Sequence, residues 1–295
     1  MSVGLECSSR DLSEFRATVL DRGAELYRDL PWRRTHDPYE IWISEVMLQQ
    51  TQTARVDGRW QRWLQRFPTV SALAAAEPAE VLEEWQGMGY NRRALALLRA
   101  AQAIVEGGGA LPSDTRALEA LPGIGPATAA GIRAFAFDLP GVYLETNVRA
   151  VFLHELFPGE EGVSDRELVP LVRATCPADA SDPDDDPRTW YYALLDYGAY
   201  LKRTVPNPSR RSSGHARQSR FEGSHRQKRA ELVRILLAHR GDAPGGVDLG
   251  TVAAELASAE EKAGRRGVKT ADVRALLEEL AREGFCREEA GGWRV

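Results

Sequence analysis

Leu121-Pro122-Gly123-Ile124-Gly125-Pro126-Ala127-Thr128-Ala129 is the stretch that decides the fold. Ala117, Leu118 and Leu121 make the approach to it amphipathic and helical. Two glycines allow a tight turn and let another backbone come close. Pro126 is tolerated in a first helical turn, so a second helix starts there. The amides at that start have no acceptor inside the helix. With the helix dipole they form an anion site that suits a phosphate. Such contacts position a protein on nucleic acid without reading its sequence. A bare glycine pair would favour an ordinary helix–helix turn, so the rest of the chain has to decide.

Outward from that turn, helical spacing dominates. Leu95, Leu98, Ala101, Gln102 and Val105 alternate with Arg92, Arg93 and Arg99; Leu168, Leu171 and Val172 repeat the pattern, as do Trp190, Ala193, Leu194 and Tyr197. Turn signals lie between: Phe67-Pro68-Thr69, Gly107-Gly108-Gly109, Pro140-Gly141 and Pro158-Gly159. No stretch before residue 225 alternates as a strand would, so an all-α fold is predicted there. Thr204 to Ser224 is polar and basic and reads as a loop or linker. Beyond it, Leu232, Ile235 and Leu236, then Leu249 to Leu256, then Val273, Leu276, Leu277 and Leu280 mark three helices. Phe285-Cys286-Arg287 and Trp293-Arg294-Val295 flank Ala290-Gly291-Gly292 as a short hairpin would. The last part therefore reads as a small winged-helix-like domain, a type that binds DNA or protein.

Charge points the same way only locally. The 295 residues carry a formal net charge of -5, which by itself argues against a polyanion as partner. Yet Lys202, Arg203, Arg210, Arg211, Arg217, Arg220, Arg226, Lys228 and Arg229 crowd one segment, while Asp179, Asp182, Asp184, Asp185 and Asp186 crowd a stretch that reads as a solvated loop. A basic run of this kind holds a phosphate backbone or is a disordered linker. No apolar run reaches membrane-span length, and MSVGLECSSRDLSEF has no signal-peptide pattern. The three cysteines, Cys7, Cys176 and Cys286, lie far apart and give no metal or disulfide framework. These features suit a reducing cytoplasm.

Leu121 to Ala129 resembles the helix-hairpin-helix of the endonuclease III and MutY superfamily of DNA glycosylases. So do Pro31-Trp32-Arg33-Arg34, Asp37-Pro38-Tyr39, Ile43 to Gln52, Arg66-Phe67-Pro68-Thr69-Val70 and Trp85-Gln86-Gly87-Met88-Gly89-Tyr90, which follow the MutY-type pattern almost residue for residue. The resemblance covers roughly residues 15 to 200. It implies a two-lobed fold: a six-helix lobe at 32–141, a second lobe from 1–31 with 142–225, and the winged-helix-like domain at 226–295. The implied partner is double-stranded DNA containing a lesion or mismatch. The implied reaction is monofunctional hydrolysis of an N-glycosidic bond, most simply releasing adenine, with 8-oxoguanine as one candidate opposite base; the family's usual β-rich C-terminal domain for 8-oxoguanine is replaced here by the winged-helix-like one. A glycosylase for another deaminated or oxidised base, or a non-catalytic lesion-binding protein, is the alternative.

A base in duplex DNA must be rotated out of the stack before chemistry. By resemblance Gln49, Gln50 and Tyr90 fill the gap and the minor groove, while Gly123, Gly125, Ala127 and Thr128 meet the backbone; Arg210 and Arg211 of the basic run are expected to meet it too. Cleavage then needs a proton for the leaving base and a negative charge near the sugar, which two carboxylates in different environments supply. Glu45, among Trp42, Ile43, Val46 and Met47, matches the general acid. Leu144-Glu145-Thr146-Asn147-Val148 matches the second motif, with Glu145 where the family has Asp and Asn147 as an orienting residue. Bifunctional relatives carry a Schiff-base lysine at the position of Ala127, and no lysine precedes Lys202. Water is thus the expected nucleophile.

The family also ends its second lobe with four cysteines around an iron–sulfur cluster. Those positions fall here at Lys202, Ser209, Ser212 and about Gln218, so no cluster is expected. The resemblance allows a monovalent cation, Na+ or K+, at the carbonyls of Glu119, Leu121 and Ile124.

Overall fold

A computed structural model describes residues 9–182, 185–215, 219–241, 243 and 245–295. Cys7, Asp184, Arg217 and Gln218 of the sequence reading lie outside the described residues. In chain order the elements are α1 (Ser9–Glu25), α2 (Pro38–Leu48), α3 (Thr53–Val56), α4 (Arg59–Arg66), α5 (Val70–Ala74), α6 (Pro78–Glu84), α7 (Arg92–Glu106), α8 (Thr115–Glu119), α9 (Pro126–Phe137), α10 (Thr146–Glu155), α11 (Asp165–Thr175), α12 (Pro187–Thr204), α13 (His225–Ala238), β1 (Val247–Asp248), α14 (Leu249–Lys262), α15 (Thr270–Arg282), β2 (Arg287–Glu289) and β3 (Gly292–Arg294). The fold is mostly helical, as the periodicity predicts. Before residue 225 the described residues hold only an isolated bridge between Val163 and Ser212 outside helices and turns.

Two compact units form. One comprises Met1–Trp60 with Ala110–Arg217, the other Gln61–Gly109 with Gln218–Val295. The grouping divides the 32–141 stretch, and the core of the first unit shows why. Ile41 of α2 and Ala130, Ala134 and Phe135 of α9 share one buried cluster with Phe152 of α10 and Trp190 and Tyr192 of α12. Phe135 and Tyr192 stack at 4.4 Å between ring centroids. The chain before α2 is fastened to the same helix by a buried ion pair. Arg33 donates to both oxygens of Asp196 at 2.6 and 2.8 Å, and Arg33 and Asp196 are almost fully buried. Paired this way, neither charge is left uncompensated in the interior.

Helix starts follow capping chemistry. Asp37 accepts from the amides of Tyr39 and Glu40 ahead of Pro38, which fixes where α2 begins. Asp186 does the same for α12 through Thr189 at 2.7 Å. Asp186 is buried and Asp185 is paired with Arg16, so this end of the acidic stretch is structural and not a solvated loop.

In the second unit Trp63 and Trp85, both fully buried, meet edge to face at 5.6 Å. From His225 onward the order is helix, strand, helix, helix, strand, strand, and the sheet runs β1-β3-β2, all antiparallel. This is the winged-helix arrangement. Ala290 and Gly291, both with positive φ, make the two-residue hairpin turn between β2 and β3. The two-residue β1, Val247 pairing with Trp293, was not legible because it is too short to alternate. Within this unit α15 is bound back onto α7 through Glu283, which pairs with Arg92 at 2.7 Å and with Arg229 at 2.7 Å.

Candidate active site

α2 is apolar on nearly every side: Ile41, Trp42, Ile43, Val46 and Met47 are all buried. Glu45 is carried into that setting by its neighbours and is only 8% exposed. Its carboxyl lies against α9 at Gly131. A Cβ there would collide with Glu45 Oε2 and come within 2.8 Å of Tyr143 Cε2. The Tyr143 hydroxyl donates to Glu45 Oε2 at 3.0 Å. Burial disfavours the ionised form and pushes Glu45 up to about 8, with the nearby Glu145 charge adding to the effect and the tyrosine bond opposing it. At neutral pH the group is therefore a carboxylic acid with a proton to give.

Glu145 stands at the N-cap of α10 in extended backbone. Its Oε1 accepts from the amides of Asn147 at 2.6 Å and Val148 at 3.0 Å. The extra methylene relative to Asp thus does not cost the helix its cap. Burial prevails and leaves its pKa raised; the two amides, the Lys202 charge and the Asn147 side chain limit the rise. Lys202, four turns along α12, donates from Nζ to Asn147 Oδ1 at 2.9 Å. One turn before it, Gly198 lets α12 touch α10: a Cβ at this position would collide with the Asn147 carbonyl.

The hairpin is built as its glycines demand. Gly123 takes φ +80°, a value side chains rarely adopt. Gly125 is extended, at φ −92°, with open space around its Cβ position, so its use is clearance and not conformation. No side chain caps α9 after it. Ala127 is half-buried, while Thr128 is buried and its hydroxyl accepts from Gln49 Nε2 at 3.0 Å. That bond ties the end of α2 to the hairpin and turns Gln49 inward. Gln50, next along, is exposed and left-handed at φ +52°. Tyr90, in the second unit, is 42% exposed and also left-handed at φ +50°. Its ring lies near the Arg93 guanidinium, and its hydroxyl accepts from Arg226 at 3.4 Å. Non-glycine residues in this region store strain, and such strain gathers at functional sites. The Leu121 carbonyl, one of three suggested for a cation with those of Glu119 and Ile124, already accepts the Ile124 amide at 3.2 Å.

The segment after α12 corrects the linker expectation. Pro208, Ser209 and Ser212 are buried. The Arg211 guanidinium donates to the carbonyls of Leu153, Phe157 and Glu160, where α10 ends. Arg211 is thus committed to the fold, and of the pair only Arg210 is exposed. The group that the family holds here does not fit the side chains present. An iron–sulfur cluster needs thiolates; Lys202 is spent on Asn147, and Ser209 donates to Asn207 at 2.8 Å. Among the described residues no group of three or more His, Cys, Asp or Glu is placed to hold a metal, and no helix is long and apolar enough to cross a membrane.

Sequence reading missed Gly131, Tyr143, Gly198 and Lys202. A glycine inside the apolar run of α9 was the available signal for the first. Nothing local marked Lys202, because only the packing of α12 on α10 brings it to residue 147.

A helix-hairpin-helix followed by a capped carboxylate, with a buried acid beside it, defines a class of base-excision proteins. Residues 43–184 match the family model described as the HhH-GPD superfamily of base excision DNA repair proteins. The chain is 36% identical over 227 residues to an adenine DNA glycosylase of Mycolicibacterium smegmatis, covering 71% of this chain and 75% of that one. It is 43% identical over 127 residues to an adenine DNA glycosylase of Mycobacterium tuberculosis, 42% of each chain. A thermostable thymine-DNA glycosylase structure shares the fold, with TM-score 0.57 and 22% identity over 66% of this chain and 88% of that one. The chain belongs to the HhH-GPD superfamily of base excision DNA repair proteins.

Proposed function

We propose that this protein is a monofunctional adenine DNA glycosylase that acts on duplex DNA, with adenine opposite 8-oxoguanine as its first substrate to test. The observation that carries the reading is Glu45, a carboxyl buried against α9 and bonded to Tyr143, with its pKa pushed by burial up to about 8. Adenine leaves a deoxyribose readily only when a ring nitrogen is protonated, and a positioned acid of raised pKa supplies that proton. Glu145 is pushed up by burial, an effect that two amides and the Lys202 charge oppose; as a carboxylate it offsets the positive charge that grows on the sugar. Asn147 orients that carboxylate. Water completes the reaction, since Ala127 stands where a Schiff-base lysine would act.

DNA would be held by the amides of Ala127 and Thr128 behind Gly123 and Gly125, and by Arg210. Gln50 and Tyr90, both exposed and strained, are suited to enter the stack, with Gln49 behind Gln50. The protein would work as a monomer, near the nucleoid, without an iron–sulfur cluster, and with Na+ or K+ at the Glu119, Leu121 and Ile124 carbonyls. The division into 1–31 with 142–225, 32–141 and 226–295 belongs to the same proposal, supported by the complete winged-helix topology from His225 onward.

One experiment tests it. Duplexes carrying single lesions or mismatches are incubated with purified protein, and released base and strand scission are scored before and after alkali. Adenine should be released, the strand should stay intact until alkali, and borohydride should trap no covalent complex. Release of a different base, or efficient trapping, overturns the assignment.

A further inference from the structure

Lys202 is not part of any motif that suggested the reaction, yet its ammonium ends at the residue beside Glu145. The hydrogen bond from Nζ to Asn147 Oδ1 is 2.9 Å long. An ammonium can only donate and an ionised carboxylate can only accept. An amide lying between them therefore has one satisfactory orientation: oxygen toward Lys202, nitrogen toward Glu145. Without the lysine the amide could turn over and set its oxygen against the carboxylate.

We propose that Lys202 is a positioning residue of the glycosylase centre, locking the Asn147 side chain so that it donates to Glu145 and favours the charged carboxylate beside the sugar. The inference rests on the reading of Glu145 as the charge that stabilises the sugar cation. The approach of α12 is built for this contact. Gly198, one turn earlier, removes the side chain that would otherwise hold α12 away from the Asn147 backbone. The lysine side chain is partly buried, so its charge is screened less than a surface charge would be. Other titratable groups near Glu145 are Glu45 from α2 and Tyr143 from the preceding loop. A Glu45 carboxylate would push Glu145 toward its neutral form, and Lys202 is the cation that opposes it.

Two variants and two readouts test the proposal. Lys202→Gln keeps a hydrogen-bonding group and loses the charge; Lys202→Arg keeps the charge. In the free protein, the Glu145 carboxyl is titrated by carbon-13 NMR. It should ionise at higher pH in Lys202→Gln than in wild type, and close to wild type in Lys202→Arg. In single-turnover release of adenine, Lys202→Gln should slow by about 10- to 100-fold, the cost expected of a misplaced catalytic group. The acidic limb of its pH–rate profile should move up, with DNA affinity little changed. Lys202→Arg should restore the acidic limb. If the wild type releases no base from any duplex, the function reading fails, and the carboxyl titration still decides whether Lys202 governs Glu145. A Lys202→Gln protein that folds like wild type and titrates at the wild-type pH overturns the proposal, as does an unmoved acidic limb.

Discussion

The carboxyl of Glu45 occupies the space that a side chain on Gly131 would take. One residue comes from α2 and the other from α9, so the acid is placed by helix packing and not by a loop. Gly131→Ala should force the carboxyl and the Tyr143 ring apart. Overpacking of this kind costs about 1–3 kcal/mol, and a shift of about 1 Å at a reacting group costs about a hundredfold in rate. Thermal unfolding and single-turnover base release measure the two effects. Wild-type rates in Gly131→Ala would show that Glu45 is not the acid.

The raised pKa of Glu45 gives a pH dependence of definite sign. Base release needs the protonated form, so the rate should fall as pH rises through about 8. Stability follows proton linkage. Between about 4.5 and 8 the folded protein retains a proton that the unfolded chain has lost. Stability should therefore decline as pH rises across that window, at up to about 1.4 kcal/mol per pH unit, and level off above it. Glu45→Gln should be inactive, should lack this decline, and should be the more stable protein at pH 8. Urea unfolding at a series of pH values reads this directly.

Glu145 serves both α10 and the chemistry, and two substitutions separate those uses. Glu145→Gln keeps an oxygen for the Asn147 and Val148 amides but removes the charge. It should bind DNA, fold like wild type and release no base. Glu145→Asp is a good N-cap, so stability should hold. Its carboxylate is withdrawn by one methylene, and release should slow by about a hundredfold. Full activity in Glu145→Gln would remove this residue from the mechanism.

Arg210 and Arg211 are neighbours with separate expected effects. Arg210→Ala should weaken binding to all DNA sequences and flatten the salt dependence by about 0.9 log unit if one phosphate contact is lost. Arg211→Ala removes a charged donor from three carbonyls, and bonds from a charged donor are worth about 1.5–3 kcal/mol each. It should lower the melting temperature and leave the salt slope alone. Salt titrations and calorimetry on the two single variants check the division; the reverse pattern would restore Arg211 to the DNA-facing side.

What could be read in advance follows physical range. The turn at Gly123, the cap at Asp37 and the apolar face around Glu45 are local, so residue order alone predicts them. The helical run of α12 was legible too. Its consequence for Asn147 was not, because Gly198 and Lys202 act across the packing of two helices, with Lys202 55 positions from Asn147 in the chain. Arg211 misled for the same reason. A basic residue in a polar stretch reads as solvent-facing until the open end of α10 is brought next to it. The strand β1 escaped because two residues carry no periodicity.

The seam between Gly162-Val163 and Arg211-Ser213 is held by two backbone amides. The Gly162 amide donates to the Arg211 carbonyl at 2.7 Å, and the Ser213 amide donates to the Val163 carbonyl at 2.9 Å. Nothing in that closure has an oxidation state. Both bonds join main-chain atoms, so neither passes through a thiolate or a metal ligand.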